Sequence, residues 1–171
     1  MGLAAALHNA LPSVERHGNF IRDAWERLRR VPGGRAVFSR LVGVAAPYTG
    51  SIGARVIELR EGFAKVELED RRAVRNHLDC VHAIALANLA ELTGNVAVAY
   101  TLPDDARFIV KGLEIEYLKK ARGTITGTSH CPAIRDNAER DLEIEVSMKD
   151  PSGAEVARAV LQTLVGPKKP R

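Results

Sequence analysis

Cysteine, aromatic residues and long apolar runs are all scarce in this chain. Two cysteines in 171 residues, Cys80 and Cys131, are too few for a disulfide framework, so reduced thiols in a cytoplasmic setting are expected. Aromatic residues make up only 5%, which leaves the core to small and aliphatic side chains packed closely. No run reaches the roughly 18 apolar residues of a membrane span, and the opening MGLAAALHNALPS lacks the basic start of a signal peptide. Ala6 stands where a myristoylation signal requires Ser or Thr. No membrane partner and no disulfide-stapled scaffold is therefore expected.

What is present is an ordinary balance, 46% hydrophobic and 27% charged, over a length that can bury a core without disulfides or a metal. The net charge of +4 is unevenly placed: residues 15 to 40 hold seven arginines against three acids, and the tail KKPR adds three cations. This excess describes either a solvated helix face or a surface that attracts an anionic partner. No basic run is interleaved with aromatics, so nucleic acid is not expected as that partner.

The hydrophobic pattern changes period along the chain. HGNFIRDAWERLRRV places Phe20, Ile21, Ala24, Trp25 and Leu28 on one helical face, and Pro32-Gly33-Gly34 ends it. RAVFSRLVGVAA predicts a second helix, stopped by Pro47. GARVIELREGFAKVELED then alternates with period two and predicts two strands around Glu61-Gly62, with Ala64, Val66 and Leu68 on one face. Residues 76 to 82 read as a loop and 83 to 100 as a long helix ended by TLPDD. Four strands are expected in KGLEIEYLKK, GTITGTSH, DLEIEVSMKD and AEVARAVLQTLV, the last pair joined by the turn DPSG. The fold class is α+β, an antiparallel sheet with one face covered by the long helix. The expected divisions are an N-terminal helical extension (1–46), the main domain (47–166) and a basic tail (167–171).

The stretch RNHLDCVHAIALANLAELTGN, residues 75 to 95, carries the chemistry. Its helix is apolar except for Asn88, Glu91, Thr93 and Asn95, and Asn88, Glu91 and Asn95 are spaced i, i+3, i+7 along one side. A carboxylate opening onto a cleft from such a helix suits a base or a nucleophile. Free N–H groups at the helix start, near Ala83, suit a developing oxyanion. Eight residues separate Ala83 from Glu91, roughly 12 Å at about 1.5 Å per residue, too far for both to act on one carbonyl. Two antiparallel helices from two chains remove that difficulty, so a homodimer is expected, with pairing into a homotetramer left open.

A long helix wrapped by an antiparallel sheet is the hotdog fold, and residues 76 to 91 resemble the active-site segment of hotdog acyl-CoA thioesterases of the phenylacetate-degradation-type branch. Asn76, His82, Ala83 and Glu91 reproduce that branch's spacing of six, seven and fifteen residues. PYTGSIGA, NHLDCVHAIALANLAEL and EYLKKARG look like a bacterial subgroup of the superfamily, and the resemblance spans roughly residues 47 to 165. It implies Glu91 as general base or nucleophile, Ala83 as oxyanion N–H donor and Asn76 as a group that polarises the thioester carbonyl. It also implies that His82 shapes the helix start and that Asn95 orients a water. Lys119, Lys120 and Arg122, with Arg135 behind them, are the candidate cations for the phosphates of coenzyme A, which enters as part of the substrate and not as a resident cofactor. The chain departs from the pattern where Ala83-Ile84 replaces a glycine pair and Asp79 replaces a glycine before the helix.

Other readings stay open from the residues alone. A non-catalytic acyl-CoA-binding dimer is consistent with the altered glycine pair. An acyl-thioester dehydratase or hydratase would use His77 with Glu91, fourteen residues apart. The set His77, Cys80, His82, His130 and Cys131 matches no zinc spacing, so no metal is expected. Cys80 with His82 makes a poor nucleophilic pair on a loop.

Overall fold

The computed structural model describes residues 18–169, and the opening segment MGLAAALHNALPS lies outside them. Helix α1 (Phe20–Leu28) and helix α2 (Gly34–Ala45) form the expected pair. Trp25 and Phe38 turn inward and meet edge to face at 5.1 Å between ring centroids. Gly33 takes a positive φ of 74° at the turn between the helices, and a Cβ on Gly34 would strike the Leu28 carbonyl at 1.8 Å. The sequence predicts Pro47 as a stop, and it also starts a further single turn, α3 (Pro47–Gly50). Proline at a helix's first position loses no hydrogen bond, so it can open a turn as well as end one.

Strands β1 (Arg55–Arg60) and β2 (Phe63–Leu68) make the hairpin across Glu61-Gly62, with φ of 71° at Gly62. Ala64, Val66 and Leu68 are fully buried, as their alternation predicts. After the loop comes the core helix α4 (Ala83–Thr101), then β3 (Ala106–Tyr117), β4 (Ile125–His130), β5 (Arg140–Lys149) and β6 (Glu155–Pro167). The six strands form one antiparallel sheet in the order β1-β2-β4-β5-β6-β3, wrapped on α4 in the hotdog arrangement. By length and composition α4 could cross a membrane, although no such run was expected from the sequence. Most of it is buried inside this chain, as suits a core helix.

The first strand in the sheet is covered by the helical pair. The Trp25 indole N–H donates to the Leu59 carbonyl at 2.9 Å, and the Val56 N–H donates to Ser39 Oγ at 2.9 Å. Asn19 ties the same pair to the end of α4. Its Oδ1 caps α1 by accepting from the Arg22 N–H at 2.9 Å, and its Nδ2 donates to the carbonyls of Ala99 at 2.7 Å and Leu102 at 2.9 Å. One buried side chain thus satisfies both helix ends. Asn19→Ala should lower unfolding stability by about 2 kcal/mol in urea titration, the sum of a lost cap and an orphaned Ala99 carbonyl, while Leu102 keeps the Arg22 guanidinium at 3.0 Å. Asn19→Asp should recover only the α1 share, because a carboxylate cannot donate to α4.

Candidate functional site

The loop before α4 is closed by its own backbone. The Asn76 N–H donates to the Cys80 carbonyl at 2.9 Å, the His82 N–H to Val74 at 2.8 Å, and the Val81 N–H to Ala121 at 2.9 Å. Asp79 holds the left-handed φ of 52° that makes glycine usual there, and its carboxylate pairs with Arg75 at 2.8 Å. Asp70 anchors the base of the loop, accepting from Arg75 Nε at 2.6 Å and from the Gly123 N–H at 2.8 Å. The Arg75 guanidinium beside it holds its carboxyl below the usual carboxylate range, against the opposing effect of burial.

Asn76 lies in this loop, and His82 and Ala83 stand where it passes into α4. The Asn76 carbonyl oxygen shapes the turn, accepting from the Leu78 N–H at 2.9 Å and Cys80 Sγ at 3.4 Å. Its amide Nδ2 has no partner among the described residues and stays available as a donor. His82 is the N-cap of α4, with Nδ1 accepting from the Ile84 N–H at 3.0 Å. An acceptor at Nδ1 places the imidazole proton on Nε2. The Ile84 amide is thereby used, whereas the Ala83 amide has no partner among the described residues. The Tyr117 hydroxyl, which the sequence reading did not place here, donates to the Ala83 carbonyl at 3.1 Å and brings the end of β3 over the helix start.

Further along α4 the sides of the helix divide differently from the expected stripe. Ala83, Ala87, Glu91, Asn95 and Ala99 are half-buried, spaced i, i+4, and form the open side. Asn88 is only 5% exposed and turns aside, donating from Nδ2 to the Tyr48 carbonyl of α3 at 3.1 Å. The reason is tertiary: α3 lies against that flank of the helix, which no helical periodicity records. The side-chain carbonyl oxygens of Asn88 and Asn95 are both buried and have no partner among the described residues. Glu91 has neither an ion pair nor a hydrogen bond among the described residues. Ala83 and Glu91 remain eight residues apart on one continuous helix, so a single protomer does not bring them together.

The candidate cations fare unequally. Lys119 is engaged with Asp150 at 2.8 Å, and that contact, with Ser152, pushes the Asp150 carboxyl down to about 2. Arg122 Nε leans on the Asp79 carbonyl at 3.4 Å, beside the loop. Lys120 is exposed and has no partner among the described residues. Arg135 pairs with Glu61 at 2.9 Å, on the hairpin turn. Among the described residues, no three His, Cys, Asp or Glu side chains are arranged to hold a metal ion. Burial pushes the Cys131 thiol up to about 11, against a weaker effect of Thr101, and keeps it protonated. A groove of about 580 Å³, lined by Glu114, Glu145 and Arg158 among others, opens on the sheet face away from α4 and has no part in this constellation.

The free side of the site is apolar. Leu113 and Tyr117 of β3 stand opposite Leu161 and Ala157 of β6, both fully buried, so they face the helix side of the sheet. Yet Leu113 is 38% exposed and Tyr117 45%, and Ile84 at the helix start is 55% exposed.

The sequence profile of a family described as a domain of unknown function (DUF4442) matches residues 34–165. A crystal structure from structural genomics is 34% identical over 86% of this chain and 99% of its own, with a TM-score of 0.76. A protein from Pseudomonas aeruginosa described as a probable thioesterase is 21% identical over 80% of this chain and 97% of its own, with a TM-score of 0.70. A phenylacetic acid degradation-related protein from Ralstonia eutropha is 18% identical over 70% of this chain and 90% of its own, with a TM-score of 0.60. No curated protein matches the chain. The last two likenesses show the shared hotdog fold.

Proposed function

The chain belongs to the family described as a domain of unknown function (DUF4442), and on its hotdog scaffold we propose that it hydrolyses acyl-CoA or acyl-carrier-protein thioesters at a site shared by two copies. The observation that carries this reading is Glu91: a half-buried carboxylate with no ion pair or hydrogen bond among the described residues, on the open side of a mostly buried helix. A carboxylate held in the fold with no polar partner to satisfy suits chemistry. The thioesterase-type structural neighbours support the same reaction class.

In this mechanism the thioester oxygen lies against the Ala83 N–H and the Asn76 Nδ2 of one protomer. The partner's Glu91 takes a proton from water as the water oxygen attacks the carbonyl carbon. The tetrahedral oxyanion collapses, the carbon–sulfur bond breaks, and the thiolate leaves with a proton returned from the glutamic acid. Asn95, one turn beyond Glu91 with its carbonyl unsatisfied, holds the water's second hydrogen. Lys120 and Arg122 meet the phosphates of coenzyme A at the loop, and Lys119 serves through Asp150 as a brace. Two free cysteines fit a reducing cytoplasm.

The sheet supports dimerisation. Strand β3 is twelve residues long, is last in the strand order, and carries exposed Leu113 and Tyr117 on its helix side. A long apolar strand with an unpaired flank is a template for another strand. A second copy adding there buries the surface beside Ile84 and brings its own α4 alongside. The test is a panel of acyl-CoA esters assayed for thiol release, with sedimentation of the same sample. Turnover by a dimer is the expected result. A monomer at micromolar concentration that hydrolyses thioesters would remove the shared site. Tight binding of the esters without thiol release would favour the non-catalytic dimer, the alternative to which the exposed, β-branched Ile84 lends weight.

A further inference from the structure

We propose that the elbow between α1 and α2 is a docking surface for an anionic lipid bilayer. It goes beyond the thioesterase reading and does not depend on it. Residues 27 to 40 contain five arginines and no acid. Arg27, Arg35 and Arg40 are exposed and have no ion pair among the described residues, while Arg29 and Arg30 share Glu26 at 2.8 and 3.7 Å. Arg35 sits in the first turn of α2, which holds no acid, so its charge adds to the positive end of the helix where an acid would offset it.

The apex of the elbow is apolar. Val31 is 54% exposed and Val37 45%, with exposed Pro32 next to the first valine. Val31 precedes the α2 N-cap by two residues and Val37 is the fourth residue of the helix, so both lie at the same helix end. The opposite side of the pair is spent on the core: Trp25 and Phe38 are buried in it, and Ile21, Ala24 and Leu28 pack against it. That anchoring holds the arginines and valines outward on a fixed support.

Cations alone would suit any polyanion. Exposed branched apolar side chains in the same segment as these cations suit a surface with anionic headgroups over hydrocarbon. Such a contact requires no spanning segment. The elbow also lies on the β1 side of the sheet, away from β3, so a second copy on β3 leaves it uncovered.

The test uses the full chain in co-sedimentation with vesicles of phosphatidylcholine alone and of phosphatidylcholine mixed with phosphatidylglycerol. Pelleting is expected with the mixed vesicles only, and raised salt should release it. The double variant Arg30→Gln/Arg35→Gln should bind about thirtyfold more weakly, roughly fivefold per arginine removed from an anionic surface. Val31→Ser/Val37→Ser should weaken vesicle binding severalfold and leave retention on duplex DNA unchanged. All four side chains are exposed, so both variants should keep the parent's circular dichroism and melting temperature. Absence of pelleting with the mixed vesicles, equal pelleting with neutral ones, or vesicle binding indifferent to the valine pair would overturn the proposal.

Discussion

Glu91→Gln should lower kcat for thioester hydrolysis by about 10²–10⁴-fold, the usual share of a general base, with KM nearly unchanged. Glutamine keeps the size and the helix propensity of glutamate and loses only the ability to take a proton. The parent carboxylate makes no ion pair or hydrogen bond among the described residues, so its removal leaves nothing unpaired. Stability in urea should therefore match the parent within about 0.5 kcal/mol, the range of substitutions that break no named contact. That separation is the diagnostic content of the experiment. A structural glutamate would show its loss in the unfolding curve, and a catalytic one shows it in kcat alone. Full activity in the glutamine variant would remove Glu91 from the reaction.

Ala83→Pro should be nearly as damaging and tests the other half of the site. Position 83 is the first residue of α4, where proline is accommodated because its missing N–H has no helical partner. The preceding His82 is extended, with φ −64° and ψ 141°, a conformation that tolerates a following proline. The substitution deletes one amide hydrogen and little else. Loss of a single oxyanion donor should cost about 10²–10³ in kcat. The two variants also complement each other if the site spans two chains. After mixing and exchange, half of the dimers would pair an intact Ala83 amide with an intact Glu91 across one of their two sites. Activity should recover to about a quarter of the parent's, as an isologous twofold requires. If both groups acted within one chain, the mixture would stay as inactive as its components.

Much of the scaffold could be read from the chain because its local signals agree. The alternation of Ala64, Val66 and Leu68, the glycine at 62, and the apolar run after His82 each pointed to the element that formed. The misreadings share a physical origin. Strand β3 begins at Ala106, not near Lys111, because Phe108 and Val110 face the core while Ile109 between them is an exposed apolar residue. With no polar partner in the alternation, period two is invisible there. A register shift between Val110 and Gly112 then divides the strand into two phases. Asn88 was placed on the open stripe by angle alone, and only the Tyr48 carbonyl, forty residues earlier, explains why it turns away. Lys119 looked like a free cation until Asp150, thirty-one residues later, was brought beside it. The loop's outline was legible, since His82 caps α4 and Ala83 begins it where the apolar run starts, but Tyr117 over the helix start carried no local signal.

The helical pair has a consequence for stoichiometry. An open sheet has two margins, and if both could recruit a neighbour, copies would join without limit into a fibre. Here the Trp25 indole and the Ser39 hydroxyl occupy backbone groups along one margin, leaving growth a single direction. Two molecules joined through their remaining margins would expose no further place for a third, so association through β3 would terminate itself at the pair that the proposed shared site needs.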